Sequence, residues 1–156
     1  MIGHSTMEPF NRQLERFFAE YEARFNRALA ENPEEDIEAT AAAFAEYFIA
    51  ANQNGVNCGQ NNEQLRTMLA QGNAFYRSIG TKSMKIAGLE ITSLDDFHAM
   101  AKVHWDSRYV KKDGQSLQIE FDVIYLIQMR GGVPKIFGYI TGDESEVLKE
   151  HGLIPG

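Results

Sequence analysis

His104 and Asp122 carry the most specific chemistry this chain could offer. Histidine titrates near working pH, and a carboxylate bonded to one ring nitrogen orients the other as a general base. The two meet only if the segments on either side of Lys112-Asp113-Gly114 pair as strands with His104 opposite Asp122. The competing reading is a surface or interface ion pair that is dispensable for ligand binding. A second group is aromatic: Tyr47, Tyr76, Trp105, Tyr109 and Tyr125. Phenol and indole groups in apolar surroundings either orient a hydrophobic ligand in a pocket or belong to a core whose polar tips are satisfied locally. Cys58 lies in a Gly/Asn-rich segment with no histidine nearby in sequence to activate it, so it is expected to be inert. His4, His98 and His151 lack metal-ligand spacing. The chain has no phosphate loop, dinucleotide fingerprint or serine elbow, so neither a metal nor a cofactor is expected.

The elements that must position these groups change rhythm near residue 80. Before it apolar residues recur every three or four positions, and after it every second position, which is a segregated α+β layout. A first helix is predicted from about Glu8 to Ala30, with Phe10, Leu14, Phe17, Tyr21, Phe25 and Ala28 on its inner face. A second is predicted to open at Asn32-Pro33-Glu34-Glu35, with the stripe Ile37, Ala41, Phe44 and Phe48, and to end before Asn52. A short polar loop, Asn52 to Gln60, leads to a third helix whose capping box spans Asn61 to Gln64 and which ends near Ser78.

Four strands are predicted to follow. The first, 81–92, changes parity around Gly88 between Ile86 and Leu89, which signals a bulge. The second, about 97–110, puts Ala101, Val103, Trp105, Ser107 and Tyr109 on odd positions; the third, about 115–130, does the same with Phe121, Val123, Tyr125 and Ile127. A two-residue Asp-Gly turn would pair odd with even positions and mix the faces. A three-residue loop with Gly114 left-handed pairs Trp105 with Phe121 and Val103 with Val123, and only that register keeps one face apolar. Gly131-Gly132 then makes a two-residue hairpin that sets Ile136, Gly138 and Ile140 beside Ile127, Tyr125 and Val123. Asp143 caps a short last helix that stops at Gly152, with Leu148 and Leu153 placed for a Schellman contact. The other sheet face carries Met100, His104, Asp122, Ile124, Leu126, Phe137 and Tyr139. Such a half-apolar patch is expected to make a homodimer.

The 156 residues suit one domain, 1–156, and 44% apolar with 24% charged residues is ordinary globular composition. A net charge of −7 argues against nucleic-acid partners, which need a basic patch. No apolar run is long enough to span a membrane. A single cysteine and a Met1–Thr6 start unlike a signal peptide give a cytoplasmic expectation.

The chain resembles the nuclear-transport-factor-two-like superfamily, in its SnoaL-like branch with polyketide cyclases, scytalone dehydratase and ketosteroid isomerase. The resemblance is carried by the three-helix lead, Ala101-Lys102-Val103-His104-Trp105, the Lys112-Asp113-Gly114 turn and Phe121-Asp122-Val123-Ile124-Tyr125. Lys135-Ile136, Asp143-Glu144 and His151-Gly152-Leu153 complete it. It implies a cystatin-like fold, in which a cone-shaped curved antiparallel sheet wraps around three N-terminal helices and a short C-terminal helix follows. It also implies a blind apolar pocket and a dimer through the outer sheet face. Ketosteroid-isomerase-like members pair a helix-one tyrosine, here Tyr21, with an acid in a loop that reads Asn52-Gln53-Asn54-Gly55-Val56-Asn57-Cys58 and holds no carboxylate. Asp106-Ser107-Arg108 is only superficially similar to an epoxide-hydrolase relay. The expected function is binding of a small apolar molecule, with or without proton-transfer chemistry of the isomerase, dehydratase or cyclase kind. The expected lining is Tyr21, Tyr47, Tyr76 and Trp105, with Ser107, Phe121 and Tyr125. The alternative is a noncatalytic dimeric module whose cone is filled.

Overall fold

The computed structural model describes residues 3–156, with side chains from residue 11 onward, so the Phe10 and His4 side chains lie outside the described residues. Helix α1 (Gly3–Leu29) turns Leu14, Phe18, Ala28 and Leu29 into the core, with Phe17, Tyr21 and Phe25 packed against it. Its apolar stripe is the reason it docks, because an isolated amphipathic helix has nowhere else to bury that face.

The second predicted helix is only one short turn-and-a-half. α2 (Ile37–Ala42) is capped by Asp36, whose side chain accepts from Ala39 N, and the chain then becomes strand β1 (Phe44–Asn52). The polar loop is also a strand, β2 (Gly55–Gln60), which pairs antiparallel with β1. The physical reason is the four-residue spacing of Phe44 and Phe48. Four is close to one helical turn and is also two strand repeats, so those positions share a face in either conformation. Pairing decided it: Ile49, Ala50 and Ala51 lie in parallel register with Gly138, Tyr139 and Ile140. Asn62, one residue later than predicted, caps α3 (Glu63–Ser78), while Asn61 donates to the Ala41 and Phe44 carbonyls and ties α2 to β1.

The four later strands are where the alternation put them: β3 (Thr81–Ser93), β4 (His98–Val110), β5 (Ser116–Arg130) and β6 (Val133–Ile140). With β1 and β2 they form one six-stranded sheet in the order β2-β1-β6-β5-β4-β3. Trp105 pairs with Phe121, Val103 with Val123 and His104 with Asp122. A Lys111 N to Gln115 O bond closes the three-residue loop, and Gly114 takes the left-handed φ of +88° that the turn demands. The bulge near Gly88 is present between Ile86 and Gly88.

One register expectation needs correction. A bulge on β6 between Ile136 and Gly138 shifts the later pairs, so that Tyr125 faces Tyr139 and Ile124 faces Ile140. Tyr139 therefore leaves the outer face and packs inside on Phe44 and Phe48, with ring centroids 6.2 and 6.4 Å away. Phe137 stays outside, edge-on to His98.

The β3 edge is not left bare. Asn26 of α1 donates to Met84 O at 2.7 Å and accepts from Met84 N at 2.8 Å, and the Glu22 carboxylate accepts from Ile86 N. Helix side chains thus take the place of a neighbouring strand and blunt an edge that would otherwise invite pairing. The final helix, α4 (Glu144–Glu150), stops as predicted. Leu153 N bonds Leu148 O and Gly152 N bonds Lys149 O, with Gly152 at φ +74°, which is a Schellman ending. Among the described residues no helix is long and apolar enough to cross a membrane.

Candidate functional site: an aromatic cone

Between α1, α3, α4 and the concave face of β4, β5 and β6 lies a cavity of about 550 Å³. The β4 and β5 residues reach it because alternate side chains point to one face, and the three-residue loop sets both strands in phase. Trp105, Phe121, Val123 and Tyr125 form the sheet wall, with Tyr21 and Phe25 from α1 and Tyr76 from α3 opposite. The rings contact one another: Phe25 lies 6.2 Å from Trp105 and 5.6 Å from Tyr76, and Tyr21 lies 6.2 Å from Tyr125.

Of the six tyrosines, five line this cavity: Tyr21, Tyr76, Tyr109, Tyr125 and Tyr139. Burial pushes Tyr21 up to about 12, with the Tyr139 phenol adding to the shift and Arg24 opposing it. Burial also raises Tyr125, Tyr109 and Tyr139. Tyr76 is raised first by burial and then by the Glu144 carboxylate beside it. All five are therefore neutral phenols at physiological pH, able to donate or accept a hydrogen bond but not to act as phenolates.

Glu144 is the finding that sequence reading missed. It lines the cavity from the start of α4, and its carboxylate accepts a hydrogen bond from the Tyr76 hydroxyl. Asp143 beside it also lines the mouth but is engaged as the α4 cap and accepts from Gln53 Nε2 at 3.2 Å. The pocket's carboxylates thus arrive from the end of the chain, not from the Asn52–Cys58 segment. Asp143-Glu144 looked like capping chemistry alone, and only the docking of α4 across the cone brings Glu144 to Tyr76.

Two predicted lining residues are elsewhere. Tyr47 sits on the outward side of β1 with 63% of its surface exposed, a consequence of that segment being strand instead of helix. Ser107 is fully buried on the inner face of β4, but its hydroxyl donates to Ile119 O at 2.7 Å and it does not line the cavity. Tyr21, Tyr76, Trp105, Phe121 and Tyr125 all line the cavity, while Tyr139 joins them only through the β6 bulge.

A family model described as NTF2-like protein (DUF6841) matches residues 12–144. The chain belongs to that NTF2-like family. Solved structures agree on the fold. A scytalone-dehydratase-like protein from Novosphingobium aromaticivorans matches with TM-score 0.65 at 12% identity, over 87% of this chain and 85% of that one. An NTF-2-like protein of unknown function from Shewanella oneidensis gives 0.64 at 16%, over 85% and 98%. An uncharacterized cystatin-like protein from Caulobacter vibrioides gives 0.60 at 15%, over 92% and 96%. No curated protein matches.

In this NTF2-like chain the His104–Asp122 pair lies on the convex sheet face, away from the cone. Both ring nitrogens are engaged, Nδ1 with Asp122 at 2.7 Å and Nε2 with Glu120 at 2.8 Å. Only the protonated ring can donate to both carboxylates, and those two bonds raise the His104 pKa. A raised folded-state value stabilises the fold fully below the ordinary histidine pKa, and that contribution disappears as pH rises through the raised value. Melting temperature should accordingly fall as pH climbs above about 6.5, and His104→Gln should flatten that segment of the profile. An unchanged slope in the variant would mean the two bonds do not persist in solution. Asp106 and Arg108 pair with each other at 3.1 Å on the same outward face and offer no relay to the cavity.

Proposed function

We propose that this NTF2-like protein binds a small, largely apolar molecule in the cone, with the neutral phenols and the Tyr76–Glu144 pair orienting its polar groups. The observation that carries this is the cavity of about 550 Å³, which lies in the range of small-molecule sites. Its aromatic side chains line the space instead of filling it, which favours ligand binding over a noncatalytic module with a packed cone. A proton-transfer step of the isomerase, dehydratase or cyclase class would use Glu144 as base, since it is the lining carboxylate hydrogen-bonded to a buried phenol. The chain holds one tryptophan, Trp105, so indole emission reports on the cavity wall directly. Titration with 2-naphthol, a neutral planar phenol, should give saturable heat in calorimetry, a change in Trp105 emission and a higher melting temperature. Absence of saturable binding up to millimolar concentration, with Trp105 still shielded from iodide, would overturn the reading.

We also read the convex face as a homodimer interface. Along one row Cys58, Ile49, Gly138, Leu126 and Met100 are consecutive cross-strand neighbours; the next holds Val56, Ala51, Ile140 and Ile124. The band is wider than the sequence implied because β1 and β2 extend it. The charged group of His104, Asp122, Glu120 and Lys102 borders it, an apolar centre with a polar rim that can match itself about a two-fold axis. Leu126→Asp should convert a dimer to monomer, because the interface would then bury an unpaired carboxylate. A wild-type monomer in light scattering at roughly tens of micromolar would sink the dimer. The exposed free thiol of Cys58 fits a cytoplasmic setting.

A further inference from the structure

We propose that the molecule held in the cone is a carboxylic acid with an apolar body, its carboxylate docking on Arg24 in a side lobe between α1, α2 and α3. This rests on the cone being the ligand site and adds the chemical class of ligand. The lobe measures about 160 Å³ and shares wall residues with the cone, among them Tyr21, Phe25, Gly72 and Tyr76. Its polar lining is Arg24, Asp36, Thr40 and Asn73.

Arg24 differs from both arginines of α3. Arg66 is paired with Glu38 at 2.7 Å and Arg77 with Glu35 at 3.3 Å. Arg24 makes no ion pair among the described residues; its Nε donates to Thr40 Oγ1 at 3.3 Å and its guanidinium carbon lies 5.8 Å from the Tyr21 ring centroid. The Nη groups have no hydrogen-bond partner among the described residues, so the fork suited to bidentate carboxylate binding is available at the lobe. The neighbouring acid, Asp36, is exposed and holds Ala39 N as the α2 cap, and Asn73 is bonded to Glu35.

Gly72 gives an independent reason to connect the two spaces. It sits in the interior of α3, where glycine is a poor helix former, and it lacks the positive φ that would require it. A Cβ built there meets nothing within 4 Å, so close packing does not require glycine either. Gly72 borders both the cone and the lobe, and its missing side chain widens the seam through which one elongated ligand would occupy both.

The test compares decanoic acid, decan-1-ol and decylamine, which differ only in the end group, by calorimetry and Trp105 emission at pH 7.5. The acid is expected to bind about tenfold or more tighter than the alcohol. Arg24→Gln should bring the acid down to the alcohol's affinity without changing the alcohol's. Gly72→Leu should weaken the acid while leaving melting temperature unchanged or higher, since leucine favours the helix. Equal binding of acid and alcohol, or an Arg24→Gln variant that still prefers the acid, would overturn the carboxylate subsite and leave the cone reading intact. Preference for the amine would place the polar end at Glu144 and overturn it as well. Failure of all three to bind would remove the cone reading itself.

Discussion

Trp105→Ala is expected to cost about 3–5 kcal/mol of folding stability, which lowers the melting temperature by roughly 6–20 °C for a chain of this size. The indole is 2% exposed, stands opposite Phe121 across β4 and β5, and contacts Phe25 of α1. Removing it takes away a contact between sheet and helix layers and leaves a larger hole that the rigid strands cannot close. Because one side of the ring already borders the cavity, the lower half of that range is the expected value. An apolar ligand that binds only the folded state should recover part of the loss. In the native protein Trp105 emission should be blue-shifted and poorly quenched by iodide. A red-shifted, freely quenched spectrum would mean that β4 and β5 pair in another register, with Trp105 turned outward.

Gly80→Ala is the other large effect. Gly80 joins α3 to β3 at φ +86°, and its carbonyl accepts from Val110 N at 2.9 Å, which anchors the end of β4. A Cβ on this residue would stand 2.1 Å from the Val110 carbonyl oxygen, a backbone atom with no rotamer by which to retreat. The left-handed conformation and the displaced backbone together should cost about 2–5 kcal/mol. Thermal unfolding should show a drop of roughly 4–20 °C. Alanine at Gly72, whose Cβ meets open space, is the matched control and should leave the transition unchanged or raise it. Similar behaviour of the two variants would mean the α3–β3 junction is looser than its geometry implies.

What could be read from this chain depended on how far apart in sequence the deciding contacts lie. In the meander they are local: strict alternation from Ala99 to Tyr109 and from Leu117 to Met129 defines two faces, and one three-residue turn sets the phase. That is why Trp105 opposite Phe121, and His104 opposite Asp122, followed from parity alone. The α4 stop at Gly152 was equally legible, because a Schellman ending involves residues only a few positions apart.

The remainder depended on partners distant in sequence. Phe44 to Asn52 fits helix and strand alike, and its parallel pairing with β6, roughly ninety residues later, made it a strand and turned Tyr47 outward. The β6 bulge, which no local residue pattern announced, brought Tyr139 into the cone. Glu144 reached Tyr76 only when α4 folded back over the mouth. Alternation and turn chemistry are local energies, so the two faces of the meander and its aromatic wall were legible from residue order. Which polar groups enter the cavity was settled on folding, because that rests on register shifts and docking between segments whose own propensities are indifferent to the outcome.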